Sequence, residues 1–245
     1  MKHFSYFVVF SLTICLLGCA TKATREEEKA YVPSFHFTPA SSAPAASAEV
    51  TFAVVNASYS ENQPWTTIWP FSDFSKNMAL DFQQILSARG FTVKGPFGSY
   101  DELTFPDKKG SDLVLQLTLE VRLDIINPVA RKHIGIWSPD SYSINGQAAI
   151  GGRVTLSLME SLSKERMWFK SIEIPREVVS FEGEKEYPAP PSGIDLSDPG
   201  IAKSLGPKLE ALYTKVMQAS WNYLDPGEMQ LVKKQADEIK KKKVY

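Results

Sequence analysis

Chemistry needs reactive side chains at a workable spacing, and this 245-residue chain offers few of them. The three histidines, His3, His36 and His133, are too scattered for a catalytic triad or a metal cage. No G-x-S-x-G, P-loop or H-E-x-x-H occurs, and Gly151-Gly152 lacks the spacing of a phosphate-binding turn. Glu182, Glu184 and Glu186 alternate through a polar stretch that has no apolar setting to shift a carboxyl pKa. These patterns point away from an enzyme, and neither a cofactor nor a metal is expected. Three features remain. Cys19 closes an apolar run directly after Leu16, Leu17 and Gly18; a basic pair, Arg131-Lys132, has Trp137 just beyond it; and Trp65 and Trp69 stand in an aromatic, proline-bearing stretch.

The run that delivers Cys19 is MKHFSYFVVFSLTICLLGC, with Lys2 as a short basic start and residues 4–17 almost wholly apolar. That is the layout of an export signal, and it is shorter than the roughly 20 apolar residues of a spanning helix. Its ending, Leu16-Leu17-Gly18-Cys19, resembles the lipobox of bacterial lipoproteins. The resemblance implies a signal peptide over residues 1–18 and lipid attachment at Cys19. The thiol acts as nucleophile toward the lipid donor, Gly18 lets the peptidase reach the bond, and Leu16 fills an apolar pocket. Two or three acyl chains (palmitate-like), at about 0.8 kcal/mol per buried methylene, make a lasting anchor where one would not. Ala20 follows where an Asp would retain the protein, so the sorting rule for a Gram-negative host implies the outer membrane. The facing of the domain stays open.

The elements that position these residues come next. Residues 19–49 combine a charged patch, Arg25 to Lys29, with TPASSAPAASA; small residues and interspersed prolines read as a flexible tether spanning on the order of 30 Å. Residues 50–245 read as one globular domain: the full chain is 43% hydrophobic, enough to bury a core, and its net charge of −1 argues against nucleic acid as a partner. With Cys15 lost in the signal and Cys19 acylated, no thiol is left for a disulfide.

Residues 50–56 predict a buried strand, residues 73–89 a helix with Phe74, Met78, Phe82, Ile85 and Leu86 on one stripe, capped by Ser72 and stopped by Gly90, and residues 91–93 a strand. Residues 113–125 alternate Leu113, Leu115, Leu117, Leu119, Val121, Leu123 and Ile125 with mostly polar partners, Val114 excepted; this predicts a strand of roughly 40 Å with one wet face. A long loop over residues 127–146 follows, then strands over 147–159, with a bulge at Gly151-Gly152, and 166–174, and a mixed, proline-rich stretch over 175–191. Asp198-Pro199 and Asp225-Pro226 cap two last helices, the first bent or delayed by Gly206-Pro207, the second ending in a solvated Lys240 to Lys243. The fold class is α+β: a mostly antiparallel sheet with a strand-helix-strand start and carboxyl-terminal helices on one face. Trp65 and Trp69 either fold back onto the core or face a glycan or partner.

The order of these features is similar to that of the neuraminyllactose-binding hemagglutinin family, the flagellar-sheath adhesin lipoproteins. Its carriers are VTFAVVNASYSEN from Val50, ALDFQQILSARGFTVK from Ala79, FPDKKGSDLVLQLTLEVRLDI from Phe105, GGRVTLSLMESLSKE from Gly151, KLEALYTKVMQ from Lys208 and KKQADEIKKKK from Lys233. The resemblance implies a non-enzymatic outer-membrane or sheath lipoprotein of adhesin type that binds sialylated glycans. The family's basic KRTIQKK-like run corresponds to PVARKHI here: two adjacent basic residues are kept and the trailing lysines are not. Arg131 could hold a sialate carboxylate in a bidentate pair, with Lys132 as a point charge and Trp137 stacked on the sugar; a solvated basic loop is the other reading. The alternative function is a periplasm-facing structural lipoprotein docked on an envelope or flagellar protein.

Overall fold

The computed structural model describes residues 31–39, 47–135, 141–186 and 198–243, with the backbone alone for 184–186. The signal segment, Cys19 and Trp137 lie outside the described residues.

Strand β1 (Thr51–Val55) is buried along almost its whole length. The short β2 (Ser58–Tyr59) follows, and a 3-10 turn over Pro64–Thr67 leads into α1 (Phe71–Ala88), whose Phe74, Met78, Phe82, Ile85 and Leu86 are buried as the spacing predicts. The helix starts two residues early. Pro70, not Ser72, takes the capping position, and Gly90 at φ 84° ends the turn. Strand β3 (Thr92–Phe97) then pairs parallel with β1, which makes a β-α-β unit.

Before the long strands, the chain folds as a one-turn helix, α2 (Phe105–Lys109), with Thr104 and Asp107 in a reciprocal capping box. Strands β4 (Leu113–His133), β5 (Ser141–Glu160) and β6 (Arg166–Glu186) form an antiparallel meander. The order across the sheet is β3-β1-β4-β5-β6, and β2 lies beside β4 beyond the end of β1. Helices α3 (Pro199–Tyr223) and α4 (Pro226–Lys242) close the chain, with Asp198 and Asp225 accepting from the first free backbone N–H groups of each.

The strands exceed their expected length. Most of the expected loop over 127–146 is paired strand, and β6 runs on through the proline-bearing stretch to Glu186. The prolines that read as breakers sit where they cost no ladder bond. Pro128 falls within the register shift between Ile126 and Val129, and Pro175 falls opposite the shift between Ile150 and Gly152, on a strand that has no strand on its far side among the described residues. Pro207 likewise stays inside a continuous α3.

One sheet face buries Phe52, Val54, Leu115, Leu117, Val154, Leu156 and Ile172 against α1, α3 and α4. Val114, the break in the alternation, points into a second small core on the other face with Ala53, Val55, Leu103 and Met159. The domain also begins before Val50. Residues 31–39, assigned to the tether by composition, pack onto the helices, with Phe35 and Phe37 4% and 7% exposed.

Candidate functional site

Residues 31–39 cross α1 and α3, and the contacts that hold them are specific. The Phe35 ring stands edge-on to Phe74 at 5.4 Å and tilted against Tyr213 at 5.5 Å. Below it, the Asp81 carboxylate of α1 is 2% exposed and accepts from the Tyr213 hydroxyl at 2.7 Å and the Phe37 backbone N–H at 2.6 Å, with His36 Nδ1 at 3.2 Å. A buried carboxylate survives only with such partners. Burial, and then the bond to Asp81, push the Tyr213 phenol well above its ordinary pKa. Tyr31 donates to Glu210 at 2.6 Å, and that bond, ahead of burial, raises its phenol to about 12. Gly206 on α3 leaves the space that the Tyr31 ring occupies. Tyr31, Phe35 and Phe37 in a polar stretch are the sequence signal for this docking, and composition alone hides it.

Arg131 and Lys132 lie on β4 rather than in a loop, in register with Ser143 and Tyr142 of β5. Both are exposed, at the end of a hairpin that runs past the core. Strand alternation sends their side chains to opposite faces, so Arg131 shares its face with His133, whose Nε2 is 2.9 Å from Ser143 Oγ.

The aromatic stretch divides. Trp65 folds back, edge-on to Tyr59 at 5.7 Å and to Phe71 at 4.7 Å, while the Tyr59 hydroxyl donates to the Phe71 carbonyl at 2.8 Å. Trp69 is half-buried beside an exposed Ile68. The carboxyl-terminal lysines are not merely solvated. Lys240 reaches the buried Glu160 at 3.7 Å and donates to the Ser111 carbonyl at 3.0 Å, and Lys243 pairs with Glu165 at 3.0 Å.

Among the described residues no group of three His, Cys, Asp or Glu side chains is placed to hold a metal, and no helix is long and apolar enough to cross a membrane. The sequence matches no protein-family model and no curated protein. Solved structures do match. A neuraminyllactose-binding hemagglutinin homolog from Helicobacter pylori superposes with a TM-score of 0.57 at 15% identity, over 85% of this chain and 100% of that one. A lipoprotein from Neisseria meningitidis (TM-score 0.29, 13% identity, 71% and 99% covered) and a protein from Xanthomonas campestris (0.35, 12%, 85% and 98%) overlap too loosely to bear on the fold. The chain therefore shares the fold of the Helicobacter protein across that protein's whole length.

Proposed function

We propose that this chain is a lipid-anchored, non-enzymatic protein of the outer membrane, held through acyl groups on Cys19 and of adhesin type, with the basic end of the β4–β5 hairpin offered to an anionic glycan. Arg131 binds the carboxylate there and Trp137 stacks on the sugar, while Lys132, on the other face of the strand, adds only to the positive field of the hairpin end. The observation that most supports this reading is the exposed basic hairpin end on a fold shared with a neuraminyllactose-binding hemagglutinin homolog.

The anchor is tested by labelling cells with palmitate. Native protein should take up label and fractionate with membranes, and Cys19→Ser should do neither. The glycan site is tested by titrating sialyllactose against native protein and Arg131→Ala. Saturation weakened about tenfold by the substitution supports it, a factor worth about 1.4 kcal/mol. Absence of saturation at millimolar ligand removes it.

The second reading, a periplasm-facing lipoprotein docked on an envelope or flagellar assembly, is favoured by the open edge of β6. Among the described residues no strand pairs with that edge, and Phe169 and Val178 are 58% and 49% exposed on the strand. Protease shaving of intact cells separates the two, since a displayed domain is removed and a periplasmic one is spared.

A further inference from the structure

The outward face of the sheet carries a depression of about 400 Å³ over the bulge between β5 and β6. Its floor is backbone, because Ala149, Gly151 and Gly152 bring almost no side chain there. Register lays its walls out in three cross-strand rows. Glu120, Arg153 and Glu173 form the first, and Arg153 Nε lies 2.6 Å from Glu120. Asp124, Ala149 and Val178 form the third.

The middle row holds Arg122, Gly151 and Arg176. Arg122 pairs across with Gly151, and a β-carbon on Gly151 would stand 3.0 Å from the Cα of Arg176. Two guanidiniums therefore flank a position that has no side chain, with neighbouring strands roughly 4.8 Å apart. Arg153 is neutralised by its carboxylate neighbours, and Arg176 reaches Asp124 only at 3.7 Å with both groups exposed. Arg122 is exposed and has no ion-pair partner among the described residues.

We infer that this depression is a binding site for a carboxylate-bearing sugar, the carboxylate lying over Gly151 between Arg122 and Arg176. Guanidinium forks match a planar carboxylate in two parallel bonds, and the gap left by glycine lets it approach from the solvent side. Glu120 and Glu173 accept from the sugar hydroxyls along the opposite wall. Three arginines face Glu120, Asp124 and Glu173, so the rim is neutral overall and offers a dianion no added attraction, while the carboxylates along it suit a monoanion rich in hydroxyl donors. The volume suits one or two sugar rings, at the lower end of small-ligand pockets. This goes beyond the hairpin-end site and shares no residue with it.

The test is calorimetric titration of the full chain in detergent micelles with glucuronic acid and N-acetylneuraminic acid, with glucose and inorganic phosphate as comparisons. Either acid should saturate in the millimolar range, Arg122→Gln should weaken glucuronic acid binding by about tenfold or more, and Arg131→Ala should leave glucuronic acid binding unchanged. Arg122 is exposed, so the variant's melting temperature should match the native one. No saturation by either acid, glucose or phosphate binding as tightly as the acids, or full affinity in Arg122→Gln each overturns the proposal. Loss of glucuronic acid binding in Arg131→Ala alone overturns it in favour of the hairpin end. Failure to bind sialyllactose-bearing surfaces together with an Arg122-dependent uronic acid site would sink the adhesin reading and leave this one standing.

Discussion

At the scale of single residues, two of the buried carboxylates, Asp81 and Glu160, each tie a terminus down. Glu160 is fully buried at the end of β5. Burial works against its charged form, but the Ser163 side chain, the Leu162 and Ser163 backbone N–H groups and Lys240 together outweigh it, so the carboxyl is held below its ordinary pKa of 4.5. A depressed folded pKa contributes stability that is complete above the ordinary value and is lost as pH falls through the depressed one. Glu160→Gln should therefore cost about 2 kcal/mol near neutral pH, and the gap between native and variant urea midpoints should close as the medium is acidified below pH ~4. A gap that stays constant into acid would mean the charge of Glu160 is irrelevant. At the other terminus, Phe35→Ala removes a ring seated between Phe74 and Tyr213 and should cost about 3 kcal/mol, read as a shift in urea midpoint.

Among the elements, the long hairpin strands decide the shape of both candidate sites. Cross-strand pairing carries β4 and β5 beyond the core until the basic residues stand on a paired ribbon, not on a loose loop. The bulge at Gly151-Gly152 turns part of the outer face into a depression. Gly152 has φ 133°, a region that side chains with a β-carbon rarely adopt, and an added β-carbon would press into the Glu120 carbonyl. Gly152→Val should therefore destabilise the domain by more than about 2 kcal/mol, measured by chemical denaturation, and lose the Arg122-dependent sugar binding. Helix α4 contributes by what it anchors. Its Met229, Val232 and Ala236 face the core, and Lys233 reaches Asp112 at 3.1 Å, so its last turn arrives beside Glu160 in a fixed position.

Across the whole molecule, the docked segment changes how an anchor at Cys19 would hold the domain. If the chain is first fixed at Tyr31, eleven residues lie between it and the cysteine, and that length reaches at most roughly 40 Å. The domain then has a shorter maximum reach from the bilayer than a tether running to residue 49 would give it. A chain beginning at residue 50 should lose the Phe35, Phe37 and Tyr31 contacts and melt on the order of 10 °C lower than one beginning at residue 31. Equal melting temperatures would show that the segment adds nothing.

Local pattern made much of this legible. Period-two alternation from Leu113 and helical spacing from Phe74 specify which face is buried, because the side-chain repeat is fixed by backbone geometry, and the Asp-Pro pairs mark helix starts because they satisfy free N–H groups within a few residues. Val114 shows where that stops. Its apolar side chain on the wet face makes sense only with Leu103 and Met159 folded over it. The same holds for Phe35, which needs Tyr213 some 180 residues away, for Pro128 and Pro175, which need partner strands to make a bulge of them, and for Arg122 and Arg176, distant in sequence and neighbours only across Gly151. The sequence alone determined where the main helices and the core parts of the strands lie and which faces they bury, since those follow from contacts within one turn or one strand. Tertiary structure alone decided which charges meet and where the domain begins, since both rest on contacts between segments that no local spacing encodes.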